Sequence, residues 1–138
     1  MSSATVTLEQ HHDAAYLLVT WTDIVDGQAI NTSFRAMQTY LDAAASPLPI
    51  VLDLSGCQRF SAPDALRGAL FGPFRHPMLD EWLVIGADSL ARNIGRVLSN
   101  VTRIHNIRWF FTHEQAYTFL AAKTGLDLPE AGEDTLTA

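Results

Sequence analysis

Residues Pro49–Phe74 read PIVLDLSGCQRFSAPDALRGALFGPF, and this stretch decides the fold class. Ile50-Val51-Leu52-Asp53-Leu54 is short, β-branched and apolar, the pattern of a strand buried on both faces. Ser55-Gly56-Cys57 breaks it. Ser61 and Asp64 then stand three apart, a helix-start pattern in which the hydroxyl accepts a backbone N–H of the first turn. Pro63 suits that turn, where its missing N–H would have no intrahelical partner. In an open parallel sheet, ligands and partners bind in the crevice at the carboxyl end of such a strand.

Upstream, Thr5-Val6-Thr7-Leu8-Glu9 alternates as a half-exposed strand does, and Tyr16–Trp21 is a denser apolar run. The polar turn His11-His12-Asp13 between them predicts an antiparallel hairpin. After Asp26-Gly27, the residues Ile30, Phe34, Met37, Leu41 and Ala44 form one apolar stripe, so a helix is expected. Ser46-Pro47-Leu48-Pro49 ends it.

Downstream, Gly72-Pro73 and His76-Pro77 punctuate a connection to the apolar strand Trp82–Gly86. Asp88 or Ser89 can cap a helix whose Leu90, Ile94, Val97, Leu98 and Val101 share a face. Ile107–Phe111 predicts a last strand. Thr112 with Gln115 forms a capping box for a helix through Ala116, Phe119 and Leu120, and Gly125 is a natural terminator. The predicted order is β-β-α-β-α-β-α-β-α: an α/β fold, with a mostly parallel sheet, an N-terminal antiparallel hairpin and helices packed on it.

Composition narrows the function classes. The chain has 138 residues, 48% hydrophobic and 17% charged, which is globular rather than disordered. One domain is expected over residues 1–125, followed by a poorly ordered acidic tail over 126–138. That tail holds Asp127, Glu130, Glu133 and Asp134 and no Lys or Arg, so most of the net charge of −6 lies there. The rest carries nine basic residues against eleven acidic ones, a balance that offers no basic footprint for nucleic acid. The lone Cys57 excludes an internal disulfide and fits a reducing, cytoplasmic setting. No signal peptide and no bilayer-length apolar run are visible, so a soluble protein is expected.

The residues Ile50–Leu66 resemble the STAS domain, the fold of bacterial anti-sigma-factor antagonists. That family writes an apolar strand ending in Asp-Leu-Ser, then Asp-Ser-Ser-Gly-Leu opening a helix. Here Ile50-Val51-Leu52-Asp53-Leu54-Ser55 corresponds to the strand and Phe60 to the apolar residue before the motif. The element order agrees in outline over residues 4–124, and Ile107–Ala122 is similar to the end of the divergent SpoIIAA-like proteins. The resemblance implies a non-enzymatic, regulatory protein-interaction module. It departs at the switch itself, because Ser61-Ala62-Pro63-Asp64 replaces Asp-Ser-Ser-Gly. The family's phosphorylated serine falls near Ala62 or Pro63, neither of which accepts phosphate, so serine-phosphorylation switching is not expected.

No constellation points to catalysis. A nucleophilic cysteine needs a depressed pKa and an orienting base, and Cys57 shows neither in sequence, so an inert thiol is expected. His11, His12, His76, His105 and His113 lack metal-ligand spacing, and no metal or cofactor is expected. Gly86-Ala87-Asp88-Ser89 enters a helix without the glycine fingerprint of a dinucleotide site or the lysine of a P-loop. Arg92, Arg96, Arg103 and Arg108 gather basic charge, either as a solvated face or as a docking patch for an acidic partner or anionic head group. Trp21, Trp82 and Trp109 sit at strands and suit a core.

If the strands after the hairpin run parallel, their carboxyl ends share one edge. Asp23, Ser55, Arg59, Ser61, Asp64, Asp88, Ser89 and His113 would line it. This edge is the expected contact surface for a protein partner or a second copy of the chain. The alternative is a small-molecule site on the same edge, for a lipid or an anionic ligand.

Overall fold

The apolar run at Leu48–Asp53 is the middle strand of a five-stranded sheet. The computed structural model describes residues 3–11 and 14–124. His12 and Asp13 of the hairpin turn, the expected terminator Gly125 and the acidic stretch 126–138 lie outside the described residues. The elements are β1 (Ala4–His11), β2 (Ala14–Trp21), β3 (Asp23–Val25), α1 (Gly27–Asp42), β4 (Leu48–Asp53), β5 (Cys57–Phe60) and α2 (Ala62–Leu70). A 3₁₀ turn (Pro73–Arg75), β6 (Leu79–Ile85), α3 (Ser89–Thr102), β7 (Ile107–Phe110) and α4 (His113–Thr124) follow.

The sheet order is β1-β2-β4-β6-β7. β1 pairs antiparallel with β2, and every other pair is parallel. The expected α/β fold with its hairpin is therefore observed. Strand alternation divides the core in two. Leu17, Val19, Trp21, Ile50, Trp82 and Val84 point to one face, where α1, α2 and α3 pack. Val51, Leu83 and Ile85 point to the other, where Ala116 and Leu120 of α4 meet them.

The helix starts explain themselves chemically. Asp26 Oδ1 accepts the Ala29 N–H at 2.9 Å, and Asp88 Oδ1 accepts the Ala91 N–H at 2.9 Å. Thr112 and Gln115 cap α4 reciprocally: Thr112 Oγ1 accepts the Gln115 N–H at 3.2 Å, and Gln115 Oε1 accepts the Thr112 N–H at 3.4 Å.

Three sequence expectations are corrected. Two short strands, β3 and β5, were absent from the predicted order; they pair parallel in a separate ribbon, Asp23 opposite Cys57 and Val25 opposite Phe60. Segments of three and four residues are too short for alternation to register, and their partners are distant in sequence. The α3 stripe is also displaced. Ala91, Gly95 and Leu98 are buried, while Leu90, Val97 and Val101 are 43%, 42% and 57% exposed. The reason is Gly95: a Cβ there would stand 2.7 Å from the Trp109 ring, so the helix seats its small residues inward against that indole. Finally, Ser61 is the N-cap of α2 but makes no capping hydrogen bond. Pro63 has no N–H to give, and the Ser61 hydroxyl instead donates to Asp64 Oδ2 at 2.5 Å.

Candidate functional site

Because β2, β4, β6 and β7 are parallel, their carboxyl ends lie together, and the eight edge residues expected from sequence fall into three groups. The first centres on a residue that the expectation omitted, Asp53, the last of β4 and 9% exposed. Asp53 Oδ1 accepts the Ser55 N–H at 2.9 Å and the Ser55 hydroxyl at 2.6 Å. Its Oδ2 lies 2.6 Å from His113 Nε2 at the start of α4. Burial alone would raise the Asp53 carboxyl; the Ser55 bonds, then His113, outweigh it and hold it below its ordinary value. An aspartate ending an otherwise apolar strand was the available signal, since a buried carboxylate demands donors.

This trio has triad residue types without triad geometry. Ser55 donates to the carboxylate rather than to the histidine, so no base is placed to take its proton. The arrangement is a clasp. It ties the end of the central strand to α4, whose His113 ring also stacks on Tyr117 at 6.5 Å.

The second group surrounds Cys57. Arg59, Gly86 and Asp88 share a small cleft with it, and Asp23 sits beside it in the β3–β5 ribbon. Burial, then the charge of Asp88, then that of Asp23 push the Cys57 thiol up, and its Sγ lies 3.5 Å from the Arg59 carbonyl oxygen. A thiol held protonated beside two carboxylates is a poor nucleophile. Asp88 also occupies the N-terminus of α3, so its carboxylate stands where an anion would bind. Ser89, the first residue of α3, is exposed.

The third group is Ser61 and Asp64 at the start of α2. Asp64 packs directly on Gly27, the first residue of α1: a Cβ on residue 27 would lie 2.5 Å from Asp64 Oδ2. Arg67 lies 3.6 Å from the other oxygen. The carboxylate thus joins two helix starts, and a side chain at position 27 would displace it.

A different surface is apolar and open. Phe71, at the end of α2, is 81% exposed, and it shares a shallow groove with Leu70, Gly72, Arg75 and Val101. Val97, one turn before Val101 on α3, is 42% exposed. Residues 65–79 and 89–113 contain no Asp or Glu and six of the nine basic residues: Arg67, Arg75, Arg92, Arg96, Arg103 and Arg108. Arg92 lies over Trp109 at 5.2 Å, and Arg108 lies over Phe119 at 5.0 Å and pairs with Glu81 at 3.3 Å.

These observations define an open-sheet α/β protein whose strand ends are bound up in polar clasps. Comparison with solved structures specifies the fold further. The chain is similar to a protein of the DUF3478 family with a SpoIIAA-like fold from Shewanella loihica PV-4, with a TM-score of 0.65, 17% identity, and 87% of this chain and 95% of that one covered. It is also similar to the anti-sigma-factor antagonist SpoIIAA in its unphosphorylated form, with a TM-score of 0.56, 14% identity, and 84% and 97% covered. The chain has the SpoIIAA-like fold. No family model and no curated protein matches its sequence. Among the described residues, no helix is long and apolar enough to cross a membrane.

Proposed function

We propose that this chain is a non-enzymatic regulatory module that docks an acidic protein partner on the outer face of α2 and α3. The observation that carries the reading is the exposed Phe71–Val97–Val101 patch within two acid-free, arginine-bearing segments. Exposed apolar anchors beside positive charge favour a complementary partner and speed its encounter. The fold supports the reading by analogy, since one protein that shares it is an anti-sigma-factor antagonist.

The module works without a serine-phosphate switch. The Ser61 hydroxyl is engaged by Asp64, and a phosphate dianion there would face that carboxylate. It is not a hydrolase: Ser55 lacks a base and Cys57 is pushed up. A cytoplasmic setting suits the single thiol.

The test is affinity capture from the native cell at low and high salt. Wild type should recover a partner that Phe71→Ser with Val101→Ser loses, that Arg75→Glu with Arg96→Glu weakens at least tenfold, and that Asp53→Asn retains. Sedimentation of the purified chain shows whether the partner is a second copy. Equal recovery by all folded variants would sink the reading.

A further inference from the structure

The five-stranded sheet has two edges, and they are not alike. β7 is four residues long and carries Arg108. β1 is eight residues long and pairs with β2 in an unbroken register from Ala4 opposite Trp21 to His11 opposite Ala14. An edge strand offers its outward backbone donors and acceptors to another strand, and sheets ordinarily blunt that edge with lysine, proline or a bulge. β1, reading ATVTLEQH, has none of these, and Glu9 is its only acid.

The phase of the ladder identifies the groups on offer. The Thr22 N–H donates to the Ser3 carbonyl oxygen at 2.7 Å, one step beyond Ala4 and Trp21. Directly opposed hydrogen-bonded pairs alternate along an antiparallel ladder, so the odd-numbered residues of β1 bond to β2. Val6, Leu8 and Gln10 therefore turn their N–H and C=O groups away from β2, to the open side of the sheet. The side chains of Val6 and Leu8 share the face on which α1 packs; Val6 is partly buried against that core and Leu8 is 50% exposed. On the opposite face Thr5 and Thr7 are exposed, and the Thr7 hydroxyl donates to Glu9 Oε2 at 2.9 Å.

We propose that β1 pairs antiparallel with β1 of a second copy of this chain, about a two-fold axis at Thr7, joining the two sheets into one. The strand is self-complementary in this register. Val6 stands opposite Leu8 of the second copy and Leu8 opposite its Val6, each pair exchanging backbone N–H···O=C bonds. Together they cover the apolar margin that Leu8 leaves open. On the other face Thr7 meets Thr7 of the second copy, and Glu9 lies opposite Thr5, a hydroxyl donor rather than a like charge. The two Glu9 carboxylates are then about 13 Å apart along the strand, beyond the screening length of about 8 Å at physiological salt. An axis at Leu8 would set Val6 against Gln10 and halve the distance between the glutamates, and an axis at Val6 would shorten the paired stretch. The match is a property of the strand against itself, which commits the edge to a second copy, with the same patch used by both. The interface uses no residue of the Phe71–Val101 patch.

The experiment uses the full chain. Sedimentation equilibrium between about 1 and 100 μM should show monomer and dimer exchanging with concentration. Leu8→Lys, at an exposed position, sets a charge opposite Val6 of the second copy and should weaken the dimer at least tenfold. Phe71→Ser with Val101→Ser should leave it unchanged. Register is read by disulfide trapping with oxidised glutathione in a Cys57→Ser background. Thr7→Cys should cross-link readily, because directly opposed residues at the axis fall within disulfide reach. Thr5→Cys and Glu9→Cys should each resist cross-linking alone and cross-link when the two variants are mixed. A chain still monomeric at about 100 μM, as it would be if the edge serves an unrelated strand, would overturn the pairing. So would a dimer undiminished by Leu8→Lys, or trapping of Thr5→Cys or Glu9→Cys alone as readily as Thr7→Cys.

Discussion

The two faces of the sheet solve the packing problem differently. On the α4 face, Leu120 and Ala116 are fully buried against Val51, Leu83 and Ile85, and a buried carboxylate there, Asp53, accepts three hydrogen bonds or ion pairs. On the α2–α3 face, a cavity remains beside Ala65, Ala69, Ala91, Gly95, Ile94 and Leu98, and the Trp21 and Trp82 indole N–H groups have no partner among the described residues. The polar residues that look most chemical in sequence are therefore the most fully occupied. The more loosely packed side is lined by alanines and a glycine together with Ile94, Leu98 and tryptophans.

Truncations should expose this asymmetry. Leu120→Ala removes a side chain enclosed on all sides and should cost in the upper part of about 2–5 kcal/mol in denaturant unfolding. Leu98→Ala on the other face removes a side chain that already borders empty space, so its cost should fall in the lower part of that range. Equal losses would mean that the two faces pack alike.

The clasp gives the next effect. Asp53 has a depressed folded pKa, so its contribution is fully present above the unfolded value near 3.8 and is lost as pH falls through the folded value. Asp53→Asn should cost about 1–3 kcal/mol at pH 7, because the donors of Ser55 and His113 lose a charged acceptor. Its stability should also fall less steeply than that of wild type below about pH 4. Thermal unfolding across pH checks both; parallel curves would show that the carboxylate is not specially held.

The smallest effect is at Cys57. Its raised pKa makes iodoacetamide alkylation at pH 8 slower than that of an unperturbed thiol, and Asp88→Asn should speed it, since asparagine keeps the cap of α3 while removing the charge. An unchanged rate would remove Asp88 as a cause.

How far these features were legible in the sequence follows from their range. The runs at Ile50–Leu54 and Trp82–Ile85, the α1 stripe and the Thr112–Gln115 box are local patterns, and they carry the fold. The clasp was half legible: Ser55 and His113 were placed on the edge, but Asp53 looked like part of a strand until its partner sixty positions away came into reach. The β3–β5 ribbon and the Ser61–Asp64 bond depend on long-range pairing and on the missing N–H of Pro63. The cavity could not be read at all, because it arises from which side of α3 turns inward, and Gly95 against Trp109 decides that.

The most direct measurement is the same enlargement made on both faces. Ala69→Leu enters the cavity, while Ala116→Leu enters a filled core, and both sites are at most 5% exposed. Thermal unfolding should show Ala116→Leu destabilised by about 1–3 kcal/mol, and Ala69→Leu unchanged or stabilised. A comparable loss in both variants would contradict the account, since it would mean that the space beneath α2 and α3 does not exist in the folded protein.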